Sequence, residues 1–107
     1  MSSKESDWKK FRAKLPSWQE NYMDKLTKEY IEILQSGEKA SSRFWTLEKR
    51  IKEDRKSPGV IISPSRSEMD MDLFYLLRDG AITEEDLNDF SEELSDRVKS
   101  LYRTFMD

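Results

Sequence analysis

Four carboxylates near the C-terminal end of the chain have a spacing that could serve binding chemistry. They recur at intervals of three and four residues: Glu85, Asp89, Glu92 and Asp96. On one continuous helix they would fall within about 60° of one another, opposite the apolar residues. Carboxylates on successive turns lie about 5–6 Å apart, close to the spacing of phosphates along a nucleic-acid strand.

This carboxylate row (Glu85, Asp89, Glu92 and Asp96) has two interpretations. It is a solvated helix face, since outward carboxylates cost little in water, or an acidic ridge that occupies a basic, phosphate-binding groove of another protein. The charge of the chain is polarised in the same direction. Through Ile62 there are 14 Lys and Arg against 10 Asp and Glu (+4), and from Ser63 onward 5 against 12 (−7). Such polarity orients a partner or keeps a small domain soluble.

A second candidate surface combines Trp45 with the lysines Lys49, Lys52 and Lys56. Helical spacing places these residues on one stripe, away from the predicted core face. An exposed Trp beside Lys can stack a nucleic-acid base or anchor a protein contact. The alternative is a Trp that packs under a terminal segment, and Glu53 beside the lysines weakens the case for a basic groove.

The residue types that are missing limit the chemistry further. The chain has no Cys and no His, which removes disulfides, thiolate zinc sites, cysteine nucleophiles and the commonest general base. We therefore expect no catalytic residues, no metal site and no cofactor. No apolar run has the length of a signal peptide or a membrane span, so we expect a cytoplasmic protein that does not insert into a membrane.

Helical patterns account for the elements that must position these residues. A long amphipathic helix from Pro16 to Gly37 is predicted at the centre, with neighbours on two sides. Its apolar arc spans roughly 160° and comprises Trp18, Tyr22, Met23, Leu26, Tyr30, Ile33 and Leu34. A short helix from Ser6 to Lys14, capped by Ser6 or Asp7, precedes it, and we favour a break at Pro16 because the residue before a proline avoids the helical region.

Four further segments complete the prediction. A second long helix runs from Glu38 or Ser41 to Lys56, with a core stripe of Ala40, Phe44, Leu47 and Ile51. An extended connector follows near residues 60–64. Ser65 and Glu68 have the form of a capping box for a helix that ends at Gly80, and Thr83 with Asp86 caps the last helix. The sequence therefore predicts an all-α fold: a single-domain bundle, residues 1–107, of four main helices plus a short N-terminal one, with residues 1–6 frayed.

Two runs of the sequence resemble a family of short helical proteins carried by mobile elements of Gram-positive bacteria. They are FWTLEKRIKEDRKSPGV at 44–60 and GAITEEDL at 80–87, and the resemblance extends over roughly residues 8 to 105. Members of that family are often mislabelled as transporters, a label that the absence of an apolar span contradicts. The resemblance implies no catalytic residues. It implies a genetic setting in which small acidic proteins inhibit host defence, among them the anti-CRISPR inhibitors of Cas9-type nucleases.

These observations favour a non-enzymatic protein that binds a nucleic-acid-handling protein partner, the most specific candidate being a Cas9-type nuclease, through the carboxylate row. The alternative is a nucleic-acid-binding accessory factor that uses Trp45 and the lysine stripe. A homodimer is compatible with either function.

Overall fold

The computed structural model describes residues 3–106, and all secondary structure in that range is helical. Helix α1 spans Ser3–Leu34, α2 spans Ala40–Asp54, α3 spans Met69–Arg78 and α4 spans Glu92–Met106. A 3₁₀ helix, Glu84–Asp89, lies between α3 and α4. The all-α prediction is confirmed. No helix in the described range is long and apolar enough to cross a membrane.

Helix α1 continues through Pro16, so the predicted break at this proline is wrong. An interior proline removes one backbone hydrogen bond and costs about 3 kcal/mol. The apolar residues on both sides of Pro16 stay in helical phase, and Trp8, Phe11, Leu15 and Trp18 are all buried. Burying a large apolar side chain contributes about 1.5–3 kcal/mol, so an uninterrupted helix that buries all four outweighs the proline penalty.

The sequence position of Asp7 predicted that it caps the first helix, and this prediction is wrong. Asp7 lies inside α1 with only 3% of its surface exposed, and its carboxylate accepts hydrogen bonds from the backbone N–H (2.8 Å) and the hydroxyl (2.6 Å) of Ser91. Ser91 directly precedes α4, and its own hydroxyl accepts from the N–H of Leu94. Asp7 therefore fixes the start of α4 against α1.

A single apolar core forms where the N-terminal part of α1 meets α3, the 3₁₀ helix and α4. Its fully buried side chains are Phe11, Leu73, Leu76, Leu87 and Val98. We call this part of the molecule, residues 3–18 and 65–106, the cored half. The inner faces of α3 and α4 are buried here, at Met69, Leu73, Leu76 and Leu77 and at Leu94 and Val98, while Phe105 near the end of α4 is 65% exposed.

Of the two caps predicted for α3, the C-terminal one forms and the N-terminal one does not. Gly80 has a positive φ of 81°, and the N–H of Ala81 bonds the carbonyl of Leu76 at 2.8 Å, which is the Schellman pattern that favours glycine at this position. The capping box at Ser65 and Glu68 does not form. Glu68 itself is the N-cap, without a side-chain hydrogen bond, and the Ser65 hydroxyl contacts that of Ser67 at 3.0 Å.

The remaining part of the molecule is a helical hairpin, residues 19–56, made of the C-terminal part of α1 and the whole of α2. The predicted core stripe of α2 is wrong, because α2 has no buried residue and both Phe44 and Ile51 are exposed. Within residues 3–106, α1 is the helix that packs against α2, so one flank of the apolar stripe of α2 stays open. The molecule is accordingly elongated, 57 × 29 × 21 Å, and the neighbours of α1 lie at its two ends instead of on two sides.

The connector after α2 begins with turns, in which the N–H groups of Val60 and Ile61 bond the carbonyl of Ser57, and residues 61–65 have no regular secondary structure. It is held against α1 at two points. The Gln19 amide donates to the carbonyl of Pro58 at 3.0 Å, and Gly59 lies so close to the ring of Tyr22 that an added Cβ would be 2.4 Å from it. Glycine is therefore required here by a close approach and not by a special backbone conformation.

Candidate partner-binding surfaces

The carboxylate row lies on two elements and not on one helix. Thr83 and Asp86 form the predicted capping box, with N–H to carboxylate and N–H to hydroxyl distances of 2.8 and 3.4 Å, but the helix that they open is the 3₁₀ helix. Phe90 is extended and ends it, and α4 begins afresh at Glu92. A 3₁₀ helix has 3.0 residues per turn, so the angular spacing deduced for one α-helix does not apply across the row.

The break has a tertiary cause. Phe90 is buried against Trp18, with ring centroids 6.3 Å apart, and Ser91 is held by the carboxylate of Asp7. Both contacts come from α1, more than 70 positions away in the chain. Periodicity within the C-terminal segment alone gives no sign of them.

Asp89 is the member of the carboxylate row that is already neutralised. Its carboxylate accepts from the Lys14 amino group at 2.6 Å, and Lys10 donates to its backbone carbonyl at 2.7 Å. The hydrogen bond and charge of Lys14 lower the pKa of Asp89. Asp89 therefore ties the 3₁₀ helix to α1 and contributes little free negative charge to the surface.

The other three carboxylates of the row, Glu85, Glu92 and Asp96, are exposed. No described side chain lies within ion-pair distance of any of them. Glu92 and Asp96 are four residues apart on α4 and share one face. Glu85 and Glu92 also lie in the first turns of their helices, where the helix dipole stabilises negative charge. These three residues are the part of the carboxylate row that stays exposed and unpaired among the described side chains.

Trp45, Lys49 and Lys52 share the face of α2 that points away from α1, while Lys56 follows the end of the helix. Trp45 is 63% exposed and does not pack under a terminal segment; its ring meets that of Phe44 edge to face at 4.8 Å. Lys52 pairs with Glu48 at 3.0 Å. This surface is aromatic with mixed charge, and its positive charge is partly offset.

A polar network that the sequence analysis missed joins the two helices of the hairpin. The Tyr30 hydroxyl donates to Asp54, and Arg50 reaches Glu29 at 3.0 Å and Asp54 at 3.4 Å. Burial, then the hydrogen bond and charge of Asp54, raise the pKa of Tyr30 to about 12. Arg50 and Asp54 are four residues apart, the spacing of a helical ion pair, but their partners on α1 had no local signal.

A cleft of about 230 Å³ opens where the N-terminal ends of α1, α3 and α4 meet. Two ion pairs line it: Arg66 pairs with Glu5 at 3.2 Å, and Arg97 with Asp70 at 3.6 Å. Arg66 also lies 5.4 Å from the ring of Trp8. The cleft is therefore a charged junction of three helices. Among the described residues, no group of three acidic side chains is placed to hold a metal ion.

Two candidate surfaces for a partner follow from this geometry. One is formed by Glu85, Glu92 and Asp96, which we call the acidic end, and the other is the exposed surface of α2 around Trp45.

Comparisons of the chain with protein-family models, with curated proteins and with solved structures found no match.

Proposed function

We propose that this protein is a non-enzymatic inhibitor or regulator that binds a nucleic-acid-handling protein through its acidic end. The observation that carries the proposal is the segregation of charge: residues 63–107 hold a net charge of −7, and Glu85, Glu92 and Asp96 display carboxylates to solvent on the outside of this part of the fold. An acidic surface of this kind complements the basic groove in which another protein holds phosphates.

The most specific form of the proposal is an anti-CRISPR type inhibitor of a Cas9-type nuclease, encoded on a mobile element. Its support is the sequence resemblance together with the acidic end, since such nucleases hold their guide and target in positively charged channels. Occupation of such a channel blocks guide loading or DNA binding without any catalytic residue in the inhibitor.

The test compares two variants with the same change in charge. Glu85→Lys, Glu92→Lys and Asp96→Lys together reverse the acidic end and leave the Lys14–Asp89 ion pair in place. The matched control reverses three exposed hairpin carboxylates instead: Glu32→Lys, Glu38→Lys and Glu53→Lys. Binding to purified Cas9-type nucleases and inhibition of DNA cleavage are measured for both, with circular dichroism to confirm the fold.

Like charges brought together at an interface cost several kcal/mol, and 1.4 kcal/mol is a factor of ten. We therefore expect at least a roughly 100-fold loss of binding for the acidic-end variant and little loss for the control. Association of the wild-type protein should also slow as salt rises. Unchanged cleavage and guide loading at large molar excess, across several nuclease orthologues, would remove the Cas9-specific form.

A second function, nucleic-acid binding through the hairpin, is favoured by the exposure of Trp45 beside Lys49 and Lys52. A gel-shift assay of the isolated protein at two salt concentrations separates the two functions. Salt-sensitive binding of DNA or RNA that is lost in Trp45→Ala would establish the second function. No shift at low salt excludes it.

A further inference from the structure

The hairpin leaves one apolar face uncovered. Met23 of α1 and Ile51 of α2 line a common cleft together with Thr27 and Arg55. Leu34 lies eleven residues beyond Met23, and Phe44 seven before Ile51, so each shares the stripe of its neighbour on the same helix. The four side chains are 39–61% exposed. We call this set, Met23, Leu34, Phe44 and Ile51, the hairpin face.

The size of the hairpin face fits a protein interface. Its exposed fractions amount to just under two whole side chains, or roughly 370 Å² at about 200 Å² for each large apolar side chain. Homodimer interfaces are about 65% apolar, so roughly 370 Å² of apolar surface corresponds to about 570 Å² in total for each protomer and about 1,100 Å² for the pair. That area exceeds the roughly 1,000 Å² expected of a specific interface and lies at the weak end of the range.

The charges around the hairpin face are compatible with a second copy of the same chain. Residues 19–56 contain nine Lys and Arg and eight Asp and Glu, a net charge of +1. Two hairpins therefore repel one another only weakly, whereas two C-terminal parts, each with a net charge of −7, would repel one another strongly. The hairpin also lies at one end of a molecule 57 Å long, so another hairpin can approach without meeting the cored half first.

We propose that a second copy of this chain covers the hairpin face, so that two hairpins related by a two-fold axis form a four-helix bundle. A two-helix hairpin encloses no core of its own, and pairing with another gives the smallest arrangement in which both apolar stripes are closed. A two-fold axis places the same patch on both sides of the contact. This proposal uses a different surface from the acidic end and does not depend on the proposed function.

Sedimentation equilibrium of the full chain from about 1 to 200 μM tests the proposal, this range bracketing the micromolar affinities of weak dimers. The wild-type mass should rise from the 12.8 kDa of one chain to twice that value. Phe44→Glu and Ile51→Glu should each weaken association at least 10-fold. The matched control is Ile61→Glu, in the connector, whose side chain is as exposed as that of Phe44 and which should dimerise like the wild type.

A wild-type chain that stays monomeric over the whole range overturns the proposal and leaves the hairpin face to a different partner. Equal association of Phe44→Glu and the wild type also overturns it. Should either hairpin variant lose helicity, single cysteines decide, because the native chain has none. A short thiol-reactive crosslinker should join Thr27→Cys into dimers but not Ser100→Cys, on the exposed surface of α4; equal crosslinking of the two contradicts the two-fold pairing.

Discussion

The cored half and the hairpin hold their helices together by different forces. In the cored half, four elements enclose Phe11, Leu73, Leu76, Leu87 and Val98, none of which reaches solvent. In the hairpin, residues 19–56, Leu26 is the only buried apolar side chain, and a polar network around Tyr30, Arg50 and Asp54 links the helices. Apolar burial needs neighbours on several sides, whereas a hydrogen-bonded ion pair needs only one.

The hairpin shows that polar contacts can hold one helix against another where no apolar core stabilises the pair. Exposed or half-exposed ion pairs contribute about 0–1 kcal/mol each, while a core side chain contributes several times as much. We therefore expect the hairpin to open locally well before the cored half unfolds.

The largest expected effect is a difference in the free energy of unfolding between two Phe→Ala variants, one in the cored half and one in the hairpin. Phe11→Ala in the cored half should lower the free energy of unfolding by about 3–5 kcal/mol, because a fully buried ring is replaced by a cavity. Phe44→Ala in the hairpin should cost less than about 1 kcal/mol, since most of that ring already contacts water. Urea unfolding of dilute, monomeric protein measures both. Similar losses for the two variants would contradict the division.

A smaller effect on stability is expected at Asp72, a carboxylate of the cored half whose ionised form is destabilised by burial. Asp72 on α3 has a buried Oδ2 with no hydrogen-bond partner among the described atoms. Burial, reinforced by the charges of Glu68 and Asp70 and opposed by a hydrogen bond from the Ser65 backbone, raises the pKa of Asp72 to about 6. The folded state therefore binds this proton more tightly than the unfolded chain, whose carboxyl has a pKa of about 3.9.

The sign of the pH dependence follows from that shift. Above pH 6 the buried charge destabilises the fold in full, and the penalty is relieved as the pH falls from about 6 to about 4. Asp72→Asn should raise the free energy of unfolding at pH 8 by roughly 1–2 kcal/mol, since solvent at this half-buried group screens part of the penalty. The gain should shrink at pH 4.5. Thermal unfolding at both pH values measures it, and a gain independent of pH would show that the charge of Asp72 is not its cause.

The smallest expected effect tests the polar network of the hairpin. Tyr30→Phe removes the hydrogen bond to Asp54, which is worth about 0.5–1.5 kcal/mol. Amide hydrogen exchange in α2 should then accelerate roughly 2- to 10-fold, while α3 and α4 keep their protection. Tyr102→Phe, on α4, is the matched control and should leave α2 unchanged. Uniform acceleration in all helices would mean that the hairpin and the cored half unfold together.

Local sequence determined the features that depend on neighbours within one or two helical turns. The helical class, the glycine stop at Gly80, the capping box of Thr83 with Asp86 and the inner stripes of α3 and α4 all belong to this group. Each depends on backbone geometry and on periodicity over a few residues. The residue types of both candidate surfaces were also identified from sequence, although their arrangement was not.

Tertiary structure alone decided three features: the division of the carboxylate row between two elements, the continuity of α1 at Pro16 and the exposure of α2. Asp7 meets Ser91 and Lys14 meets Asp89 across more than 70 residues, and these contacts divide the last helix and neutralise one carboxylate of the row. Periodicity shows that Phe44 and Ile51 share a stripe, but whether a stripe is buried depends on how many elements surround it. The apolar pattern of α2 is that of a core helix, and its exposure follows because residues 3–106 supply no second helix that packs closely against it.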